Sequence, residues 1–264
     1  MKNKQYNASA NKNDHSPANP RVIVYTAITG SYETLRNPDV IDPKITYACF
    51  TDTPIWSNIT NSTVWKICKT PRSTLDTTRK ARQIKTQPHV FLDNNAFDYS
   101  VWIDGNVNIT GDIFKLIESL GDFQFAGFKH YIRNCLYSEA ETCIVENKDD
   151  PQIITAQTTQ YKNEGFPADN GLLETNVLIR KHNDPEINHL MDLWWEQIRT
   201  HSKRDQLSLT YACWKEGITP TLMGEQNTRG NSPYFQTRAG WRTQSDQSKL
   251  SLFIDKHIRW RFRQ

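Results

Sequence analysis

Tyr99-Ser100-Val101-Trp102-Ile103-Asp104-Gly105-Asn106 is an apolar, β-branched and aromatic run that stops at a carboxylate. Val101, Trp102 and Ile103 are the residue types that fill a buried strand, and a strand ending in Asp-Gly-Asn delivers its polar groups at one edge of a sheet. Gly105 is expected to turn the backbone through dihedrals closed to other residues, so that Asp104 and Asn106 aim two oxygen ligands into one small volume. Oxygen pairs suit hard cations. A magnesium or manganese ion held by one or two protein oxygens keeps positions open for a diphosphate. The competing reading is an ordinary Asp-Gly turn at a strand end.

Upstream, the same design repeats. Val22-Ile23-Val24-Tyr25 is a short apolar run that opens into Thr26-Ala27-Ile28-Thr29-Gly30-Ser31-Tyr32, a loop of small hydroxyl residues with one glycine. Ile45 to Phe50 ends in Thr51 and Asp52, and Val64-Trp65-Lys66-Ile67 follows. Strands that each deliver polar groups at one end suit the first half of a nucleotide-binding α/β sheet, although the G-x-G-x-x-G fingerprint is absent. Between Thr74 and Gln87 the pattern suggests a helix carrying Arg79, Arg82 and Lys85. Residues three apart share a helix face, so this is either a solvated basic face or a clamp for a diphosphate, with arginine as fork and lysine as point charge.

Downstream, Asp112 or Thr110 can cap a helix whose Ile113, Leu116, Ile117 and Leu120 repeat at helical spacing, with Gly121 as its stop. Phe123 to Phe128 alternates like a strand and leads to Lys129 and His130, followed by Arg133 and Glu139 in a polar cluster. Residues 147–168 read as helix and loop over the site. Asn170 to Arg180 is a glycine-led loop entering a buried strand, and Asp184-Pro185-Glu186 opens a helix as cap, first-turn proline and N-terminal acid. Ile187, Leu190, Met191, Trp194 and Ile198 form the stripe that helix buries, with Trp194 in the core. Ser202 to Gln206 introduces a further helix with Leu207, Tyr211 and Trp214 on one face, and with Asp205 and Gln206 in its first turn it points polar groups and its positive end towards an anionic ligand. Residues 224–248 read as a long loop that can act as a lid. Lys256 to Arg263 alternates bases with aromatic and aliphatic residues. That alternation fits a final edge strand or a contact of 256–264 with an anionic membrane surface.

The chain has 264 residues, enough to bury a proper core. Residues 1–20 have almost nothing to bury and read as a disordered leader; 21–264 then form one domain, with a nucleotide-binding half at 21–110 and an acceptor half with its tail at 111–264. Trp 8, Tyr 10 and Phe 11 supply rings for a core and for walls against which sugars or bases stack. A formal net charge of only +3, with mixed signs along the chain, does not indicate a nucleic-acid partner. No stretch approaches the roughly 20 apolar residues of a membrane helix, and no secretory segment opens the chain, so a cytoplasmic location is expected. Five scattered cysteines without a C-x-x-C pair are expected to be reduced thiols.

Five blocks in order resemble a family of glycosyltransferase-like proteins of bacteria and plants, long catalogued only as a domain of unknown function and later linked to plant mucilage pectin synthesis. They are Val24 to Gly30, Trp102 to Asn106, His130 to Ala140, Gly171 to Glu174 and Arg204 to Ser208. The resemblance implies an α/β, GT-A-like single domain with a mixed, mostly parallel sheet flanked by helices, and a divalent cation, Mn2+ or Mg2+, at Asp104 and Asn106. It implies a nucleotide-sugar donor, with Thr26, Tyr32 and Asp52 at the nucleoside and Arg79, Arg82 and Lys85 over the diphosphate. His130, Arg133, Glu139, Gly171, Arg204 and Gln206 would line the sugar and acceptor side, and Asp205 and Glu174 would be the catalytic carboxylates. The reaction so implied is transfer of a hexose-type sugar to a glycan, polysaccharide or lipid-linked acceptor, in surface polysaccharide biosynthesis, at the inner face of the membrane. Tyr131 stands where the family is expected to have proline. Asn106 stands where a second aspartate is usual, which should weaken the metal site. A non-catalytic nucleotide-sugar or carbohydrate-binding module is the alternative; a metal-dependent phosphoesterase would need a denser cluster of carboxylates and histidines.

Overall fold

The computed structural model describes residues 20–30, 32–52, 64–224, 227–230 and 232–238. Residues 1–19 of the expected leader, 239–248 of the expected lid and the tail at 256–264 lie outside the described residues. In chain order the elements are β1 (Val22–Ile28), β2 (Thr46–Thr51), β3 (Lys66–Lys69), α1 (Thr77–Thr86), α2 (Pro88–Phe91), β4 (Tyr99–Ile103), β5 (Val107–Ile109) and α3 (Ile113–Ser119). They continue as β6 (Phe125–Lys129), α4 (Leu136–Val145), α5 (Pro151–Asn163), β7 (Leu173–Lys181), α6 (Pro185–Thr200), α7 (Leu209–Glu216), β8 (Thr221–Leu222) and β9 (Phe235–Thr237).

Seven strands form one sheet in the order β3-β2-β1-β4-β7-β6-β8. β1 pairs in parallel with both β2 and β4, and β6 with β8, whereas β7 runs antiparallel to β4 and β6. The sheet is therefore the mixed, mostly parallel one that the resemblance implied. Every residue of β1 and β4 is buried, as expected for central strands covered on both faces. Alternation sorts their side chains. Val22, Val24, Val101, Ile103, Val177 and Ile179 pack with α3 and Phe235 on one face, while Ile23, Tyr25, Trp102 and Leu178 pack with α1, α6 and α7 on the other.

The helix starts follow local chemistry. Asp76, Asp112 and Asp184 each accept a backbone N–H of the first turn that has no partner within the helix, and α7 stops at Gly217, whose φ of 66° is left-handed. The expected helix at 202–214 is corrected in one respect. Asp205–Leu207 is a separate 3-10 turn ahead of α7. The expected lid is also corrected, since its segment at 235–237 is the strand β9, paired antiparallel with β5. Phe235 enters the core there, and that burial turns a polar loop into strand. No helix among the described residues is long and apolar enough to cross a membrane.

The chain leaves β1 for β2 on one side and returns to β4 on the other. Such a reversal opens a crevice at the carboxyl ends of the two strands, where α/β sheets bind ligands. Gly30, Glu33 and Asp104 stand at this crevice.

Candidate active site

Asp104 is fixed by its own strand and its neighbour. Its backbone N–H donates to the Asn176 carbonyl of β7 at 2.8 Å, and its carbonyl accepts from Val107 N–H at 2.8 Å. Trp102 lies two residues earlier on the same face and donates from Nε1 to Asp104 Oδ1 at 2.8 Å. Gly105 does not turn the backbone in the expected way. Its φ is not among the positive values of the chain, but a Cβ there would stand 2.0 Å from Glu33 Oε2. The Glu33 carboxylate is packed against the Asp-Gly-Asn turn, and a side chain at 105 would have to displace it.

The basic face of α1 meets two carboxylates. Lys85 Nζ lies 3.2 Å from Asp104 Oδ1 and 2.6 Å from Asp205 Oδ2, and Arg82 lies 3.6 Å and 3.3 Å from the same two oxygens. Lys85 is fully buried and Asp205 nearly so. Buried charges persist only when paired, and here each cation bridges two anions. Burial alone would raise the Asp205 carboxyl, but Arg82, Lys85 and Arg204 outweigh it and hold the group far below the usual carboxylate range. Burial pulls Lys85 below its ordinary value against the opposing pull of Asp104 and Asp205. The surroundings lock this geometry. Tyr25 OH and Arg180 Nη2 both donate to the Lys85 carbonyl, at 2.9 and 3.0 Å, and Trp194 Nε1 donates to the Asp205 carbonyl at 3.0 Å. Trp194 is therefore core, as expected, and also a support for the site.

Glu174 is the contrasting carboxylate. It is 3% exposed, and neither oxygen has a hydrogen-bond partner. Burial raises its pKa, offset in part by Arg229, whose Nε lies 3.7 Å from Oε1, and by the nearby Asn176 side chain and Tyr131 backbone. A register break puts it there. Gly127 faces Leu178 but Phe128 faces Glu174, so residues 175–177 of β7 are extra relative to β6, and such bulges re-aim side chains beside sites. Asn176 donates from Nδ2 to Thr228 Oγ1 at 2.6 Å while its Oδ1 stays unpaired. Arg229, half-exposed, stacks 4.9 Å from the Tyr131 ring.

The remaining expected residues are placed as follows. Asp52 accepts the Gly30 N–H at 2.8 Å and so fixes the loop after β1; Thr26 is buried in β1 with its hydroxyl unpaired; Tyr32 is exposed and close enough to Arg82 to act on its charge. Arg79 does not join Arg82 and Lys85 at Asp104: its guanidinium donates to the Ile198 and His201 carbonyls and to Asp76. His130 accepts the Ile132 and Arg133 N–H groups on Nδ1. Arg133 pairs with the buried Glu139 at 2.8 Å, and His130 Nε2 lies 3.8 Å from the same carboxylate. Gly171 turns the chain into β7 at a φ of 81°. Arg204 acts on Asp205 by its charge, and Gln206 donates from Nε2 to the Leu173 carbonyl at 3.3 Å.

Sequence reasoning did not single out Glu33, Asn176 or Arg229. Asn176 sits in the Asn170 to Arg180 stretch, just past the fourth block, and Trp102 inside the central one, but neither Glu33 nor Arg229 stands in a pattern of its own. Both reach the site through loops whose path only the fold defines.

A family model described as the TOD1/MUCI70, glycosyltransferase-like domain matches residues 3–223. An Arabidopsis thaliana protein named "Probable hexosyltransferase MUCI70" is 31% identical over 123 residues, 42% of this chain, and the match spans 21% of that protein's length. Among solved structures, mouse xyloside xylosyltransferase 1 in its apo form gives a TM-score of 0.43 at 9% identity, covering 77% of this chain and 84% of that one. Core-mannan synthase A from Aspergillus fumigatus, in its Mn/GDP form, gives 0.44 at 9% identity over 76% and 71%.

Proposed function

Because the chain belongs to the TOD1/MUCI70 glycosyltransferase-like family, we propose that it transfers a hexose-type sugar from a nucleotide-sugar donor to a glycan or polysaccharide acceptor. The observation that carries this reading is the meeting, at the crevice between β1 and β4, of Arg82 and Lys85 on α1, Asp104 at a strand end and the buried Glu174, which has Arg229 3.7 Å away. Arg82, whose side chain keeps 18% of its surface exposed where Lys85 keeps none, is the cation offered to the diphosphate, for which its planar fork is suited. Lys85 and Asp205 hold Asp104 and the α1 end in place. Asp205, ion-paired and far below the usual range, is a poor proton acceptor.

Glu174 is the better one. A carboxylate raised by burial takes a proton from an acceptor hydroxyl at a pH nearer neutrality than an ordinary one does. In a transfer that inverts the anomeric carbon it serves as that base; in one that retains configuration it holds the acceptor hydroxyl by a hydrogen bond.

The donor set fits a hard divalent cation. Asp104 and Asn106 offer oxygens on either side of Gly105, with the Glu33 carboxylate against the same glycine. No group of three histidine, cysteine or acidic residues able to hold a metal occurs among the described residues, so water and phosphate would complete the shell, as magnesium and manganese sites allow. When bound, the cation would neutralise charge on the departing diphosphate. The acceptor, free or lipid-linked, and a site of action at the cytoplasmic face of the membrane belong to the same proposal.

The test is melting of the full chain with uridine or guanosine diphosphate, with and without manganese, beside a transfer assay on the matching nucleotide sugars. Binding should raise the melting temperature more with manganese, and Asp104→Ala should erase that increment. An unchanged manganese response in the variant would remove the metal assignment; diphosphate binding with neither transfer nor donor hydrolysis would favour the non-catalytic module, in which Arg82 and Lys85 simply neutralise Asp104.

A further inference from the structure

Lys85 and Arg82 meet the same two carboxylates, but they are not held alike. Lys85 Nζ donates hydrogen bonds to Asp104 Oδ1 at 3.2 Å and to Asp205 Oδ2 at 2.6 Å, and its side chain is fully buried. Arg82 is only an ion pair to those oxygens, at 3.6 and 3.3 Å, with a hydrogen bond to neither. Its Nε is buried and unbonded, so the 18% of the side chain that stays exposed belongs to the stem and the outer part of the guanidinium. Lys85 is a fixture of the site. Arg82 is a cation that can be exchanged.

Removing Arg82 would strand neither carboxylate. Asp205 keeps Lys85 and the charge of Arg204, and Asp104 Oδ1 keeps Lys85 and Trp102 Nε1, the latter at 2.8 Å. What changes is the charge that Asp104 presents. With both cations in place, Asp104 and Asp205 are neutralised one for one, and among the described residues no donor reaches Asp104 Oδ2. A divalent cation on Asp104 would share that carboxylate with Arg82 and be repelled by it, in a part-buried setting where solvent screens poorly. Glu33, packed against Gly105, also acts on the Arg82 charge, so the guanidinium is within reach of both the loop after β1 and the end of β4.

We propose that Arg82 couples the two ligands of this site: in the free protein it shields Asp104 from divalent cations, and a diphosphate draws its guanidinium off the carboxylate and so admits the cation. Phosphate oxygens match the planar fork of arginine and can engage it bidentately, which supplies the differential affinity that such an exchange needs. Cation and diphosphate then reinforce each other, each raising the affinity for the other by the same factor. The coupling rests on the nucleotide-sugar reading of the site, and the experiment separates the two.

The experiment is manganese binding to the full chain by electron paramagnetic resonance, with and without uridine or guanosine diphosphate, in the parent, Arg82→Gln, Arg82→Met and Lys181→Gln. Lys181, at the opposite end of the sheet and paired with Asp122, controls for the loss of a positive charge as such. Without nucleotide, both Arg82 variants should bind manganese about tenfold more tightly than the parent, and Lys181→Gln should match the parent. The gain in manganese affinity that the diphosphate brings should shrink about tenfold in the Arg82 variants. In the parent itself, the Arg82 Nε resonance should move when the diphosphate is added without any divalent cation, a measurement that needs no variant to fold. Manganese affinity unchanged in both Arg82 variants, or an Arg82 resonance that ignores a bound diphosphate, overturns the proposal and leaves the nucleotide-sugar reading standing. Failure of both diphosphates to bind the parent, with or without manganese, overturns that reading and this inference with it.

Discussion

Glu174 sets function against stability within a single side chain. Its carboxylate is buried without a hydrogen bond, and a polar group in that state costs roughly 1–3 kcal/mol. Because burial raises its pKa in the folded chain, the folded state holds the proton more tightly than the unfolded one. Stability from this group is present below the ordinary glutamate pKa and is lost as pH rises through the folded value. Glu174→Gln should therefore melt a few degrees higher than the parent at pH 7 and no higher at pH 4, while transfer falls about a hundredfold or more. Differential scanning calorimetry at the two pH values, with a transfer assay, reads both. Equal melting shifts at both pH values would mean that the carboxylate is not the strained group. Glu174 was legible as a candidate from its place after Gly171. Its burial was not, because that depends on residues 175–177 being extra to β6.

At the scale of elements, α1 divides its cations between two tasks. Arg79 ties the helix to the C-terminal end of α6 through the Ile198 and His201 carbonyls, while Arg82, three residues on, reaches Asp104 and Asp205. Arg79→Ala should lose about 2 kcal/mol in chemical denaturation, the order of a hydrogen bond to a charged group, and keep its diphosphate response. Arg82→Ala should weaken diphosphate binding about tenfold and spare free nucleoside, since the phosphates alone need that charge. Titration calorimetry with nucleoside and diphosphate distinguishes the two. Equal losses for both ligands in Arg82→Ala would assign this face to structure. The spacing of Arg79 and Arg82 showed a shared face, but not that Arg79 would be drawn to α6.

Across the whole molecule, two buried histidines couple the fold to acid. Burial, aided by Arg133, Arg229 and Lys148, pushes His130 down to about 4; burial, aided by Arg180 and His89, does the same to His182. Both values lie below the ordinary 6.5, so the stability these groups contribute is full above pH 6.5 and is lost as pH falls towards 4. Urea denaturation across this window should show a steady decline. His130→Asn keeps an acceptor for the Ile132 and Arg133 N–H groups and cannot titrate, so it should remove roughly half of the decline. An unaltered slope would show that His130 does not gate acid unfolding.

The sequence by itself determined the class of the fold and the position of its centre. Apolar runs at Val22, Ile45 and Val101, short and rich in β-branched and aromatic residues, read as buried strands, and Asp104 as the end of one, because composition, run length and a carboxylate stop are local facts. Helix starts at Asp112 and Asp184 were equally local. Tertiary structure alone decided the rest. That Lys85 is fully buried between Asp104 and Asp205, which are 101 residues apart in sequence, that Glu33 occupies the space over Gly105, and that Arg229 stands beside Glu174 are contacts between distant segments. Their energy depends on how well each charge is desolvated and paired, and no short-range pattern carries that information.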